Sequence, residues 1–198
     1  MNAIIENIQS SILETSTIEW LAVLCGTLYV ILITHKKMIA WLFAFLSSSI
    51  YVYICYSFQL YLESFLQVFY VAMAIIGWLN WTKSESKTNI IKWPIKHHIY
   101  NILASSAITL LLGYVFQKNT DQANPYTDAF TTVFSLAATY MVTKKVLENW
   151  IYWIIIDFVS IYLFYSRGLH LTALLFVVFT SLAIWGYLKW KKEYEATT

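Results

Sequence analysis

The sequence predicts an all-α membrane protein of seven transmembrane helices, arranged as two parallel three-helix repeats joined by a linker helix. Three observations predict it: a composition too apolar for a water-facing surface, seven long apolar runs, and a shift of 109 residues that lays one half of the chain on the other. Of the 198 residues, 59% are hydrophobic and 12% charged, against about 25% charged in an ordinary soluble domain. A soluble fold of this size needs more polar side chains to coat itself. That excludes a cytosolic enzyme, a disordered tail and a nucleic-acid binder. The two cysteines, Cys25 and Cys55, lie in apolar runs and are too few for a disulfide-built secreted domain.

The elements follow in order. Residues 1–17 hold no Lys or Arg, so the basic region of a signal peptide is missing. Ile4, Ile5, Ile8, Ile12 and Leu13 recur there at helical spacing, which predicts an amphipathic helix lying at the membrane surface. A spanning helix needs about 20 mostly apolar residues to cross roughly 30 Å of hydrocarbon. Such runs cover residues 18–34, 38–57, 60–81, 99–117, 129–143, 147–166 and 169–189. The fifth has the weakest hydropathy, because Thr131, Thr132, Ser135, Thr139 and Thr143 interrupt it. A β-barrel would alternate polar and apolar positions, and these runs are continuous.

Basic residues set the orientation, since cytoplasmic loops carry the excess. Lys36, Lys37, Lys83, Lys87, Lys92, Lys96, Lys144, Lys145, Lys189, Lys191 and Lys192 fall on one side, against Lys118 and Arg167 on the other. The N-terminus is therefore expected outside and the C-terminus in the cytoplasm.

At the shift of 109, Trp41 meets Trp150, Lys36 meets Lys145, Gly77 meets Gly186 and Trp81 meets Trp190. Tyr56-Ser57 falls on Tyr165-Ser166, and Glu19 on Asp128. Three helices reverse the side on which the chain ends, so an extra helix between the halves keeps them parallel. The expected organisation is a surface segment at 1–17, a first repeat at 18–82, a cytoplasmic loop at 83–98, a linker helix at 99–117, a second repeat at 118–191 and a tail at 192–198. This 3+1+3 plan is similar to that of the sugar-transporting SWEET proteins, whose site lies near the midplane. Duplicated three-helix halves point to a transporter.

Polar groups inside a bilayer are costly and mark candidate sites. Asp157 sits in the middle of the sixth span, with Trp150 and Trp153 at i−7 and i−4 on the same helical face. Two indoles and a carboxylate suit a flat cationic ring, by stacking and by charge balance. The alternative is an Asp157 that is protonated or bonded to a neighbouring helix. Gln67 lies in the third span, and Trp78 falls three turns further along nearly the same face. An amide there can bind another amide or simply bond between helices. Asn80, Glu148 and Asn149 lie near the inner boundary, where solvation by the interface competes with a site role. His35, His97, His98 and His170 fall at loops or span ends with no Cys or carboxylate at ligand spacing, so no metal site is expected. No cofactor is expected either.

These residues resemble the PnuC family of bacterial vitamin transporters, best known for nicotinamide riboside uptake. The match is specific in Leu66-Gln67-Val68-Phe69 with Gly77-Trp78 and Trp81, and in Thr143-Lys144-Lys145 with Glu148-Asn149-Trp150, Trp153 and Ile154. It extends from about Ile18 to Trp190. The resemblance implies a homotrimer in the bacterial inner membrane, facilitated diffusion without ion coupling, and trapping of the vitamin through phosphorylation by a cytoplasmic kinase. On the residues themselves, the expected substrate-binding set is Gln67, Trp78, Asn80, Asn149, Trp150, Trp153 and Asp157. In one departure, Asp157 stands where some nicotinamide riboside transporters of the family have Asn. Related thiamine carriers, called PnuT, look similar, and thiamine also carries a cationic ring. A seven-helix receptor would need no duplicated halves, and a retinal protein needs a lysine deep in a span. An enzyme needs a paired acid and base, a metal or an activated nucleophile, and none is legible.

Overall fold

The structure, a computed structural model, describes residues 2–57, 61–83, 89–120 and 124–197. Leu60, the expected start of the third span, lies outside these residues, as do residues 84–88 of the expected loop with Lys87, and Thr198 of the expected tail. The described chain is helical: α1 (Asn2–Glu14), α2 (Thr17–Thr34), α3 (Ala40–Ser57), α4 (Tyr61–Lys83), α5 (Ile95–Asn119), α6 (Pro125–Thr143), α7 (Asn149–Ser166) and α8 (His170–Thr197). It divides into two compact units, Met1–Asn89 and Ile90–Thr198.

Five of these helices, α2, α3, α5, α7 and α8, are long and apolar enough to cross a membrane, and α4 holds a shorter apolar stretch, Leu66–Thr82. The less apolar α6 buries Ala129, Val133, Phe134, Ser135, Ala138, Thr139 and Met141 against its neighbours. A helix enclosed by protein meets little lipid, so threonine and serine are tolerated there. Two boundaries differ from the hydropathy pattern. Pro94 caps α5, which starts at Ile95 rather than residue 99, and α8 continues through the charged tail to Thr197. In that tail Lys191 and Glu195 lie 3.9 Å apart, one helical turn from each other.

In the first unit α2 packs on α3 and α3 on α4. A capping box starts α2: Ser16 Oγ accepts from the Glu19 N–H, and the Ser16 N–H donates to the Glu19 carboxylate at 3.0 Å. Ser47 Oγ donates to the Ala22 carbonyl at 2.8 Å, tying α3 to α2. The Trp41 indole lies flat over Gly77, where a methyl group would come within 2.5 Å of the ring. Trp81 meets the same indole edge-on at 5.4 Å and 88°.

In the second unit α5 packs on α6, α6 on α7 and α7 on α8. The clasp recurs 109 residues on: Trp150 covers Gly186 at 2.8 Å from a hypothetical methyl, and Trp190 meets it at 5.4 Å and 89°. A segment ahead of α5 straps across the α6–α7 turn, with the Ile91 N–H donating to Lys145 O and the Leu147 N–H to Ile91 O. At the other end, Arg167 pairs with Asp128.

Three helices end in the same backbone motif. The residue after the cap turns left-handed, and the next N–H reaches back to the carbonyl five residues earlier. At α7 the left-handed residue is Gly168 (φ +73°), where the lack of a Cβ removes the steric cost of that conformation. At α2 and α6 it is Lys36 (φ +53°) and Lys145 (φ +54°), with Lys37 N–H bonded to Leu32 O and Val146 N–H to Met141 O. A side chain in that conformation costs about 1 kcal/mol relative to glycine.

Candidate functional site

Asn149 is the first residue of α7, fully buried, with its Nδ2 donating to Val146 O at 2.6 Å. Its Oδ1 has no hydrogen-bond partner among the described residues. Four residues on, Trp153 is half-buried and packs against the cluster of Phe134, Ala138, Met141, Val146, Tyr152 and Ile156. Four further, Asp157 is 4% exposed inside an apolar span, with no ion-pair or hydrogen-bond partner among the described residues. Ser160, also buried, continues the same stripe at i+3. A buried acceptor and a buried carboxyl left without partners inside a bilayer need an explanation beyond packing.

Trp150 differs from its neighbours on the stripe. Its ring is taken up by Gly186 and Trp190, as the ring of Trp41 is by Gly77 and Trp81. Both indole Nε1 groups are buried without a partner among the described residues, so the two positions match in this respect too. At the shift of 109, Asn149, Trp153 and Asp157 stand against Ala40, Ala44 and Ser48. The aromatic clasp is shared, and the polar stripe is not.

In the first unit Gln67 and Asn80 are half-buried on α4. Trp78 is 36% exposed and lines an apolar groove with Trp41 and Phe45 of α3. Gln67 lies about two helical turns from Ala74, beyond the groove's lining.

The end of α7 that carries Asn149 is held by contacts the linear sequence does not display. Glu148 accepts the Trp93 N–H at 3.3 Å and lies 3.9 Å from His98 Nε2, while His98 Nδ1 and Tyr152 Oη are 3.1 Å apart. The only sequence signal for this network is the adjacency of Glu148 to Asn149. Among the described residues no group of His, Cys, Asp and Glu is placed to hold a metal ion.

A profile of a family described as nicotinamide mononucleotide transporter matches residues 16–192. The chain belongs to this family. Members of the nicotinamide mononucleotide transporter family are transporters, not enzymes. The nicotinamide riboside transporter PnuC of Escherichia coli (strain K12) is 25% identical over 205 residues, which cover 89% of this chain and 86% of that protein. The riboflavin/roseoflavin transporter RibM of Streptomyces davaonensis is 23% identical over 130 residues, covering 63% of this chain and 61% of that one. The fold matches the crystal structure of the vitamin B3 transporter PnuC with a TM-score of 0.75 at 23% identity, over 98% of this chain and 91% of the other.

Proposed function

We propose that this chain mediates facilitated uptake of nicotinamide riboside across a bacterial inner membrane, with its main recognition groups on α7. What carries this is the stripe Asn149, Trp153 and Asp157, where a span holds a buried acceptor, an indole and a carboxyl in a row. Nicotinamide riboside is a flat pyridinium cation bearing a carboxamide and a ribose. Asp157 balances the ring charge, Trp153 stacks on the ring and Asn149 Oδ1 accepts from an amide or hydroxyl. Gln67 and Asn80 on α4 add hydrogen bonds. Trp150 acts as a positioning residue that seats α7 on α8, and Trp78 is placed outside the set, because its groove offers no polar side chain.

The surrounding arrangement is the 3+1+3 plan, with α5 as linker and α6 as one of seven spans. The clasps and lysine turns that recur 109 residues apart support it. The lysine asymmetry supports an N-terminus outside and a C-terminus in the cytoplasm, with α1, whose Ile5, Ile12 and Leu13 are exposed, lying on the membrane surface. The protein works as a homotrimer without ion coupling, and a cytoplasmic kinase traps the vitamin by phosphorylating it.

A second substrate, thiamine, is favoured by the same carboxyl, because thiamine also carries a ring cation. Riboflavin has no such charge and gains nothing from Asp157. The deciding experiment is side-by-side binding of nicotinamide riboside, thiamine and riboflavin to the purified protein. Tight binding of nicotinamide riboside alone is expected. Preference for thiamine would move the chain to that vitamin, and preference for riboflavin would sink the charge-balancing role of Asp157.

A further inference from the structure

We propose that Glu148, His98 and Tyr152 act as positioning residues that fix the Asn149 carboxamide with its Oδ1 open to the substrate. The inference rests on the α7 reading above and adds to it three side chains outside the recognition stripe.

Asn149 takes its orientation from the turn before it. Its Nδ2 is spent on Val146 O at 2.6 Å, so Oδ1 faces the other way, buried and without a hydrogen-bond partner among the described residues. A flipped amide would set two acceptor oxygens against each other. The direction of Oδ1 therefore depends on where the Val146 carbonyl is held. The chain ahead of α5 holds that turn: the Leu147 N–H donates to Ile91 O at 2.8 Å, and the Glu148 carboxylate accepts the Trp93 N–H at 3.3 Å. Glu148 directly precedes Asn149, and its side chain makes no capping bond to its own helix. It serves the strap instead.

His98 of α5 completes the arrangement. Its Nδ1 is 3.1 Å from Tyr152 Oη, and its buried Nε2 is 3.9 Å from the same Glu148 oxygen that accepts from Trp93. A carboxylate only accepts, which assigns the imidazole proton to Nε2 and makes the tyrosine hydroxyl the donor to Nδ1. Glu148 and Tyr152 are one helical turn apart, so one side chain from α5 meets the first turn of α7 at two points.

A carboxylate and an imidazole placed there cost desolvation that apolar side chains avoid. The first unit starts the matching helix without them: at the shift of 109, Glu148 and Tyr152 stand against Ile39 and Phe43, and Asn149 against Ala40. The polar turn accompanies the amide in one half, and apolar residues accompany the alanine in the other.

The test is a set of double-mutant cycles on the purified full chain, with nicotinamide riboside binding read by calorimetric titration and stability by melting temperature. Glu148→Gln, Tyr152→Phe and His98→Ala are each made in the native background and in Asn149→Ala, with ligand carried far enough above the native Kd to read weak binding. Asn149→Leu serves as the background if the alanine variant does not fold. In the native background each change should weaken binding about tenfold, within the usual coupling inside one hydrogen-bond network. In the Asn149 variant each should change it by about twofold at most, because the group they orient is gone.

Equal losses in both backgrounds would overturn the proposal, since the three residues would then act independently of Asn149. A lower melting temperature at native affinity would also overturn it, leaving a structural fastener. If the Asn149 variant itself binds like the native chain, the α7 reading fails and the positioning role falls with it. If that variant loses affinity and the other three do not, the positioning role alone falls.

Discussion

The two units carry the same scaffold and different chemistry. Each seats an indole on a glycine, crosses it with a second indole at a right angle, and ends a helix on a left-handed lysine. Along the helix that bears the clasp, the first unit then has Ala40, Ala44 and Ser48 where the second has Asn149, Trp153 and Asp157. The first unit has a capping box at Ser16 and the Ser47–Ala22 bond, whereas the second has the Asp128–Arg167 pair and the strap through Ile91. A position kept in both halves therefore reads as framework, and the α7 positions that carry an amide, an indole and a carboxyl in place of Ala40, Ala44 and Ser48 are the ones proposed for recognition. By that criterion Trp150 belongs with Trp41, although in sequence it sits among the residues proposed for recognition.

The comparison breaks most visibly at Asp157. Truncating one partner of a buried charge pair costs about 100-fold in affinity, so Asp157→Ala should lose that much nicotinamide riboside binding while Ser48→Ala changes nothing measurable. Calorimetric titration of the two variants checks this. Next come the paired glycines. Gly77→Ala and Gly186→Ala should each destabilise the protein by about 2 kcal/mol, the usual cost of forcing a methyl into a packed contact. Thermal unfolding in detergent will show whether the two costs match. A large effect at one glycine alone would mean that only one clasp bears load.

Smaller effects sharpen the division of labour. Trp153→Ala should weaken binding about tenfold through loss of stacking, with the melting temperature little changed, because the ring is only half-buried. Trp150→Phe should do the reverse, lowering the melting temperature more than the affinity. The smallest effect belongs to Lys145→Gly, which relieves about 1 kcal/mol of left-handed strain and should raise the melting temperature slightly.

Much of this architecture was legible in the apolar runs, since a span announces itself by length and continuity. Asp157 was legible for the same reason, as a lone acid in an apolar stretch. The start of α5 was not, because Lys96, His97 and His98 lower the hydropathy of a segment whose helix begins at the Pro94 cap. The extension of α8 was hidden by its charges, which pair along the helix rather than ending it. The packing of Trp150 on Gly186 was not legible, because that partner is on another helix. The network of Glu148, His98 and Tyr152 joins the starts of α5 and α7, and no local pattern signals such a pairing. Trp78 stood on the expected face of α4, but only the positions of Trp41 and Phe45 on α3 reveal the groove beside it.

The indole-on-glycine clasp also has a mechanical consequence. A ring pressed onto a backbone without a Cβ has no alternative rotamer and no free volume to slide into. The pair α7 and α8 thus behaves as one stiff lever, and so does the pair α3 and α4. Displacement applied at one end of such a lever reaches the other undiminished. Among the described residues, the turns at 35–38 and 144–148 join these stiff pairs to the preceding helices, so bending there leaves both clasps intact.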